Sequence, residues 1–347
     1  MVVAIAIFDP WPKSSREELL GRSSELEELH RAIDKGEGLI LVHGIKRIGK
    51  TSILRTFTSE VRGICLEPER AAKPKDLEAS FAKALEDGFQ RLSKIISDLK
   101  GVEVVRRSRG VVVRIDSRSL GPLWLGNIIS EISKKVDRLV VAIDNAENIV
   151  SPVSRQLRML ISYSLDNIEN VSFILAAPSS IAIHELLGLN ERSSPLYGRK
   201  PYELGVEKLG REQSLELLSK GFKEQGLKTP REAEDAADFF EGIPGWLVYF
   251  GRSYLSGKSF ESIVEEAVGI AVKELEELGE TKILILKAIS QGIRGVRDIQ
   301  DYLARFGAEM RIAAVEMAIL KLEKLGILRR LEIQDPVYRK AIEKTGF

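Results

Sequence analysis

Apolar runs alternate with helix-patterned stretches over the first 206 residues of the chain. The apolar runs predict buried strands at residues 39–43, 63–67, 139–144, 171–176 and 202–206. The stretches with a helical period predict helices at residues 26–33, 50–61, 76–99 and 123–136. Because strands and helices alternate in this way, we predict an α/β fold with a parallel, doubly wound sheet.

An insertion interrupts this alternation at about residues 76–116. The long helix is followed by two valine-rich runs, 102–106 and 111–115, which flank a turn at Ser108–Gly110. Two β-branched runs separated by a short segment with glycine predict a β-hairpin. We therefore expect the first domain, residues 1–207, to carry an N-terminal segment (1–25) and an inserted helix and hairpin.

The remainder of the chain is mainly helical in pattern. We predict a helical lid at residues 208–275, where Trp246, Tyr249, Phe250 and Tyr254 recur at helical spacing, typical of core packing rather than a ligand cage. Residues 276–347 then predict three helices at 282–289, 296–306 and 309–325, followed by a strand pair that begins at 326–330. Three helices and a strand pair are the layout of a winged-helix domain.

Composition narrows the class of protein. The 347 residues are 44% hydrophobic and 30% charged with a net charge of +1, as in a soluble globular protein with no general attraction to polyanions. The one cysteine, Cys65, rules out an internal disulfide framework and agrees with a cytoplasmic location. The apolar start, residues 1–8, has no basic residue and predicts no signal peptide. No apolar run approaches the roughly 20 residues of a membrane-spanning helix, so we expect no membrane contact.

A glycine-rich phosphate loop follows the first predicted strand and precedes a predicted helix. Its pattern G-x-x-x-x-G-K-T is the Walker A motif, in which backbone N–H groups surround phosphates, the lysine contacts the β- and γ-phosphates and the threonine hydroxyl ligates Mg²⁺. We therefore expect the chain to bind ATP or ADP. The expected nucleotide-binding residues are Gly44, Ile45, Lys46, Arg47, Ile48, Gly49, Lys50, Thr51 and Ser52.

A second motif supplies a metal ligand. The apolar strand at 139–144 ends in Asp144, the form of a Walker B strand whose terminal carboxylate holds Mg²⁺ through water. We expect the metal site to consist of Thr51 and Asp144. His30, His43 and His184 lie too far apart in the sequence to indicate a second metal site.

Taken together, the motifs resemble the archaeal ATPase family of AAA+ proteins, placed with the STAND class of signalling NTPases. The resemblance covers nearly the whole chain. The segments that carry it are residues 8–12, 21–26, 44–51, 194–199, 242–247 and 335–339. It implies a five-stranded AAA+ sheet, a helical lid with a G-x-P turn and a C-terminal winged helix.

The resemblance also implies roles for particular residues. Gly242 and Pro244 match the lid turn that closes on the nucleotide, and Arg22 and Ile45 match positions near the adenine or ribose. Arg199 matches the family's arginine. It could sense the γ-phosphate through bidentate hydrogen bonds, or it could instead pair with an acidic residue at the domain seam.

Two positions depart from the family pattern. Asn145 stands where a glutamate usually follows the Walker B aspartate, and an asparagine can orient water but cannot accept its proton. Glu147 could be the catalytic base if the turn there is helical and points its side chain inward. In the next strand the usual Gly-Ser sensor is replaced by Ala177-Pro178, which leaves Ser179 or Ser180 as substitutes. We therefore expect slow hydrolysis, if hydrolysis occurs.

Three hypotheses for function follow. The chain could be an ATP-dependent switch that controls its C-terminal winged helix, a hydrolysis-deficient nucleotide-binding scaffold, or a winged-helix DNA-binding regulator with a structural nucleotide. Residues 281–347 contain 13 Lys and Arg against 8 Asp and Glu, which would suit duplex DNA with contacts from Arg311, Arg329 and Arg330. A protein partner is the alternative, because Glu309 and Glu316 on the same predicted helix would repel phosphate. The sequence leaves the oligomeric state open.

Overall fold

The computed structural model describes residues 7–61, 63–108, 110–116 and 124–345. The predictions for residues 1–6, for Arg109 in the hairpin turn and for Leu123 at a helix start lie outside the described residues. By the contacts within the chain, these residues form two compact units. One contains the described residues of segments 12–43 and 50–206, and the other contains those of segments 1–11, 44–49 and 207–347.

A five-stranded parallel sheet organises the first unit. Its strands are β1 (Leu39–His43), β2 (Ile64–Leu66), β5 (Leu139–Ile143), β6 (Val171–Ala177) and β7 (Tyr202–Gly205), in the spatial order β2-β5-β6-β1-β7. The helices of this unit are α1 (Ser23–Asp34), α2 (Lys50–Glu60), α3 (Pro74–Ser97), α4 (Trp124–Ser133), α5 (Val153–Asn167) and α6 (Ser180–Leu187). The predicted α/β fold with a five-stranded parallel sheet is therefore confirmed.

The central strands are buried along their whole length, which explains their continuous apolar sequence. Every residue of β5 and β6 is buried, as expected for parallel strands covered on both faces. One large apolar cluster packs α3, α4 and α5 against alternate residues of the strands, among them Leu39, Leu41, Phe173 and Leu175. This packing fixes the strand ends from which the candidate site residues emerge.

The insertion forms the predicted helix and hairpin. Helix α3 departs from helical backbone geometry at Leu92, and strands β3 (Val102–Arg107) and β4 (Gly110–Ile115) pair antiparallel. Val113 and Ile115 of β4 are buried in the large apolar cluster, whereas Arg106, Arg107 and Arg114 are exposed. In β4 the buried Val113 and Ile115 flank the exposed Arg114, which is the period of two expected of a strand with one covered face.

The second unit is helical apart from one short strand pair. Its helices are α7 (Arg211–Glu224), α8 (Glu232–Phe239), α9 (Pro244–Leu255), α10 (Phe260–Glu276), α11 (Glu280–Ser290), α12 (Val296–Arg305), α13 (Ile312–Lys324) and α14 (Pro336–Lys344). Strands β8 (Leu328–Arg329) and β9 (Glu332–Ile333) pair antiparallel before α14. Among the described residues, no helix has both the length and the apolar character needed to cross a membrane.

Two details differ from the predicted pattern. Helix α13 begins at Ile312 with Arg311 as its N-cap, so Glu309 and Arg311 precede the helix in which they were predicted. Helix α14 was not predicted. It begins at Pro336, directly after Asp335, whose side chain accepts a hydrogen bond from the N–H of Val337. The three-domain division at residues 207 and 275 stays a prediction.

Candidate functional site

The phosphate loop lies where the sequence predicts it. Strand β1 ends at His43 and helix α2 begins at Lys50, so residues 44–49 form the loop between them. Gly49 has φ 102°, which costs glycine little, but Arg47 has φ 64°, which costs a residue with a side chain roughly 1 kcal/mol. The loop therefore needs contacts that hold Arg47 in this conformation.

The segment at residues 242–246 supplies such contacts. The backbone N–H of Gly245 donates to the carbonyl of Arg47 at 3.0 Å, and the Arg47 guanidinium lies 4.1 Å from the centroid of the Trp246 ring. Pro244 is the first residue of α9, and Gly242 before it has φ 73°. A Cβ atom at Gly242 would lie 1.9 Å from the carbonyl oxygen of Leu209, so only glycine fits there.

The two expected metal ligands are in direct contact. The Thr51 hydroxyl donates to Oδ2 of Asp144 at 2.5 Å, and Asp144 is fully buried at the end of β5. Its other oxygen, Oδ1, is buried without a hydrogen-bond partner among the described residues. Burial raises the pKa of Asp144 above its usual value, while the Thr51 hydrogen bond and the charge of Lys50 oppose this rise. A cation beside this carboxylate would compensate the buried charge.

Two lysines are buried in the part of the first unit that contains the start of α2. Lys50 is the first residue of α2 and is only 9% exposed. Lys13 is 8% exposed, and its backbone N–H donates to the hydroxyl of Ser52 at 3.1 Å. Lys13 was not among the predicted site residues, because a lysine in an irregular segment carries no periodic signal. Its position directly after Pro12, at the end of one of the segments that carry the family resemblance, was the only available clue.

The turn after the Walker B strand is helical. Asn145 has left-handed backbone angles, φ 46° and ψ 45°, and begins a 3₁₀ turn at Ala146–Asn148. Asparagine tolerates this conformation better than most residues. Glu147 is half-buried in the turn, and its Oε2 atom is buried. The helical condition set for Glu147 is thus met, although its catalytic role stays a prediction.

Ser179 and Ser180, the expected substitutes for the Gly-Ser sensor, lie at the start of α6, and Ser179 makes a capping hydrogen bond there. Ala177 is the last residue of β6 and pairs with His43 of β1. The Ser179 hydroxyl accepts a hydrogen bond from the N–H of Ala182 at 3.3 Å, so it caps α6. Ser180 is the first residue of that helix. Capping gives Ser179 a structural role that is independent of nucleotide.

Arg199 makes an ion pair in this structure. Its guanidinium donates to Oδ1 of Asp166 on α5, and its side chain is 35% exposed. The segment before Arg199 is anchored, because Ser162 donates to the carbonyl of Pro195 at 3.1 Å and Leu196 is fully buried. An acidic partner is thus observed, but it lies in the same unit as Arg199 rather than at a domain seam, and contact with a γ-phosphate stays a prediction.

Arg22 is held inside the first unit. It is 3% exposed, and its Nη1 atom donates to Oε1 of Glu25 at 2.6 Å. Glu25 also accepts a hydrogen bond from the Ser24 hydroxyl. This pairing explains why arginine and glutamate occur three residues apart at the start of α1. The expected position of Arg22 and Ile45 near the base or ribose stays a prediction.

Two of the three histidines lie closer together than their sequence separation indicates. The ring nitrogens Nε2 of His43 and His184 lie 3.8 Å and 2.7 Å from the two carboxylate oxygens of Glu203 on β7. The strand order brings β1 and β7 side by side, which the linear sequence does not show. Even so, no group of three or more His, Cys, Asp or Glu side chains within the described ranges is arranged to hold a metal ion.

Comparison with known proteins identifies the family. A family model described as an ATPase domain predominantly from Archaea matches residues 19–250, more than half of the chain. No curated protein matches. Among solved structures, a Walker-type ATPase of Pyrococcus abyssi is similar, with a TM-score of 0.83 and 28% identity over 97% of this chain and 99% of that chain.

Two further solved structures are similar to a lesser degree. Cdc6p from Pyrobaculum aerophilum has a TM-score of 0.47 and 13% identity, over 97% of both chains. A Signal Transduction ATPase with Numerous Domains from Pyrococcus horikoshii, which has a tetratricopeptide repeat sensor, has a TM-score of 0.39 and 15% identity. That match covers 95% of this chain and 43% of the other.

Proposed function

The chain belongs to this family of ATPase domains found predominantly in Archaea, and we propose that it is an ATP-dependent molecular switch with slow Mg²⁺-dependent hydrolysis. Membership of the family implies that its phosphate loop binds nucleotide. The finer proposal is that nucleotide binding controls a winged-helix module formed by α11, α12, α13 and the β8–β9 pair.

The contact between Thr51 and Asp144 is the observation that best supports Mg²⁺ use. A hydroxyl and a buried carboxylate with one oxygen to spare fit a small, hard cation that takes oxygen ligands. Mg²⁺ commonly uses only one or two protein groups and completes its shell with water and phosphate oxygens.

Each candidate residue has a defined task in the proposal. Lys50 binds the β- and γ-phosphates and neutralises part of their charge, while Thr51 and Asp144 hold Mg²⁺. The bound Mg²⁺ supplies charge neutralisation on the phosphate oxygens. Asn145 orients the attacking water, and Glu147 accepts its proton in a less favourable position than a glutamate at residue 145 would have. We therefore expect turnover to be slow.

A nucleotide-binding scaffold without hydrolysis is the second candidate function. It is favoured by the amide at residue 145 and by the capping role of Ser179, both of which leave fewer groups for catalysis. Multiple-turnover release of inorganic phosphate separates the two functions. Sustained release above the rate of a Lys50→Ala variant supports the switch, and a single stoichiometric release or none supports the scaffold.

The surface of the proposed winged-helix module favours a protein partner over DNA. The exposed side chains of α13 include Ile312, Glu316 and Met317, which is 62% exposed. Arg329, one of the residues expected to contact DNA, donates to Oε1 of Glu207 at 2.9 Å. A DNA-reading helix would instead present basic and amide side chains to phosphates and base edges.

Titration of ATP in the presence and absence of Mg²⁺ tests the proposed metal site. We expect Mg²⁺ to raise the ATP affinity of the wild-type protein, and we expect Asp144→Asn and Thr51→Ala to lose about tenfold or more of that gain, the value of one charge-assisted contact. Asp34→Asn, at the exposed end of α1, is the control and should keep the full gain. A wild-type affinity that does not respond to Mg²⁺ would exclude the proposed site.

A further inference from the structure

The side chain of Arg47 leaves the phosphate loop and forms a two-point ion pair with α10. Its Nη2 and Nη1 atoms donate to Oε1 and Oε2 of Glu274 at 2.9 and 3.2 Å. The two side chains are only 23% and 28% exposed, so the pair is more shielded from water than a surface ion pair. A fork of two parallel hydrogen bonds also fixes the direction of the guanidinium.

Helix α14 completes this arrangement through Tyr338. The Tyr338 hydroxyl donates to Oε2 of Glu274 at 2.5 Å, and Tyr338 itself is 4% exposed. Burial would raise the pKa of Glu274, but the hydrogen bonds from Arg47 and Tyr338 outweigh burial and lower it. The carboxylate is therefore ionised and shared by one residue of the phosphate loop and one residue of α14.

A second connection runs beside the first. The face of the Trp246 ring contacts the Arg47 guanidinium, and its Nε1 donates to Oδ2 of Asp335 at 2.9 Å. The other oxygen of Asp335 accepts from the N–H of Val337 and so caps α14. Two residues at the start of α14 are therefore connected to Arg47 through one intermediate residue each. Tyr338 is connected through Glu274, and Asp335 through Trp246.

We infer that Glu274 and Tyr338 are positioning residues for the phosphate loop, acting through Arg47, and that α14 is thereby coupled to nucleotide occupancy. This inference rests on the proposed nucleotide site. It adds to the proposed function a route by which that site and the C-terminal end of the chain influence each other.

The strained backbone of Arg47 gives the coupling its physical basis. Because φ is positive at Arg47, the loop conformation is maintained by the contacts of its side chain and carbonyl rather than by local preference. A substitution in α14 that weakens those contacts allows the loop to adopt other conformations. Only a fraction of the molecules then has a loop that can bind phosphate. By thermodynamic reciprocity, a nucleotide that selects the held loop must stabilise the contacts of α14.

The main experiment compares full-length wild type with Tyr338→Phe, which removes one hydroxyl. ADP with Mg²⁺ is titrated by calorimetry, so no hydrolysis is involved. We expect the dissociation constant for ADP to rise about fivefold or more, the lower end of typical coupling between sites. Hydrogen exchange in residues 336–345 should also slow on addition of ADP in wild type, and it should slow less in the variant.

A double-mutant cycle tests the route through Arg47. In an Arg47→Ala background, Tyr338→Phe should leave ADP affinity unchanged, because the intermediate is gone. Tyr302→Phe is the matched control. Tyr302 is also buried in the second unit, and its hydroxyl accepts a hydrogen bond from Gln291, but it has no described contact with the loop. This control should bind ADP as wild type does.

The outcomes separate the two proposals. If wild type does not bind ADP, the proposed function fails and this inference falls with it. If wild type binds ADP and Tyr338→Phe binds it equally well, with unchanged hydrogen exchange, this inference alone is overturned. Should Tyr338→Phe fold poorly by circular dichroism, Glu274→Gln with the same two measurements decides the question. A loss of affinity that persists in the Arg47→Ala background would assign Tyr338 a purely structural role.

Discussion

Gly245 donates its backbone N–H to the carbonyl of Arg47, and no larger residue could do so at this distance. A Cβ atom at residue 245 would lie 2.7 Å from the Cβ of Arg47 and 3.1 Å from its carbonyl oxygen. We therefore expect Gly245→Ala to push the loop away and to weaken ATP binding about tenfold or more, since a displaced hydrogen bond and a steric clash each cost about 1 kcal/mol or more. Titration with a fluorescent ATP analogue measures the change.

Gly269→Ala is the matched control for this substitution. Gly269 lies inside α10, and a Cβ atom there would meet nothing within 4 Å. Alanine is favoured over glycine in a helix by up to about 1 kcal/mol, so this variant should bind ATP normally and unfold at a slightly higher temperature. Equal ATP affinities for Gly245→Ala and Gly269→Ala would contradict the importance of the close approach.

Lys50 should be indispensable for nucleotide binding. Its ammonium group is the fixed cation that the Walker A motif directs at the β- and γ-phosphates, and charge-assisted contacts contribute about 1.5–3 kcal/mol each. We expect Lys50→Ala to reduce ATP affinity below detection in the same titration, whereas Lys35→Ala, at an exposed position after α1, should have no effect. Undiminished affinity in Lys50→Ala would remove the basis for the phosphate-loop assignment.

The sequence predicted the family and the sheet because both depend on local signals. The family model confirms membership of the archaeal ATPase family, and continuous apolar runs marked β1, β5 and β6 to within one or two residues. The phosphate loop was also predictable, since its glycines, lysine and threonine are adjacent in the chain. Signals of this kind can be recognised from neighbouring residues without any knowledge of tertiary packing.

The parts that could not be predicted depend on residues far apart in the chain. Arg47 and Glu274 are hydrogen-bonded although they are 227 positions apart in the sequence, and Trp246 and Asp335 are hydrogen-bonded although they are 89 positions apart. Trp246 was predicted to pack in the core, which its burial supports. Its contact with the Arg47 guanidinium could not be predicted without the fold. Helix α14 was not predicted because its nine residues are too few for a helical period to stand out, although its N-cap Asp335 and Pro336 are ordinary start signals.

Acid should weaken the contribution of Glu274 to stability. Its pKa in the folded protein lies below the value of 4.5 that it has without these partners, because Arg47 and Tyr338 favour the charged form. The folded state thus binds fewer protons than the unfolded state, so this stabilisation is present above about pH 4.5 and is lost as the pH falls through the lower folded pKa. We expect the free energy of unfolding of Glu274→Gln to fall less steeply with acid than that of wild type.

Chemical denaturation at a series of pH values measures this dependence. Glu276→Gln, an exposed position on the same helix, is the control and should follow the wild-type curve. At neutral pH, Glu274→Gln should also be less stable than wild type by about 1–3 kcal/mol, the usual cost of removing a partly buried hydrogen-bonded charge. Parallel curves for wild type and Glu274→Gln would show that the ion pair contributes little.

Turnover should increase when a carboxylate is restored next to Asp144. Asn145→Glu provides a general base at the position that this chain lacks, and general-base assistance typically gives about 10²-fold or more. The left-handed backbone at residue 145 will cost glutamate a fraction of this gain, because asparagine suits that conformation better. Steady-state phosphate release, normalised to the folded fraction, is the measurement.

Glu147→Gln provides the complementary variant. If Glu147 is the slow base of the wild-type protein, this change should remove the residual phosphate release while leaving ATP affinity unchanged. The reverse pattern, in which Asn145→Glu has no effect and Glu147→Gln keeps the wild-type rate, would show that neither residue limits hydrolysis.

The C-terminal module should fail to retain duplex DNA. The exposed positions of α13 include Ile312, Met317 and Glu316 beside one lysine, Lys321, and Arg329 makes an exposed ion pair with Glu207. We expect full-length protein to give no gel shift of a DNA duplex even at low salt, where phosphate contacts are strongest. The Arg329→Ala, Arg330→Ala double variant should behave in the same way.

DNA binding, if it occurred, would have a distinct signature in the same titration. Each phosphate that the protein neutralises steepens the dependence of log affinity on log salt concentration by about 0.9. A wild-type shift that weakens with salt, together with a slope about two units flatter in the Arg329→Ala, Arg330→Ala variant, would place both arginines on the DNA backbone. That result would show that the partner of the module is DNA rather than a protein. A protein interface based on Ile312 and Met317 does not release counterions on this scale.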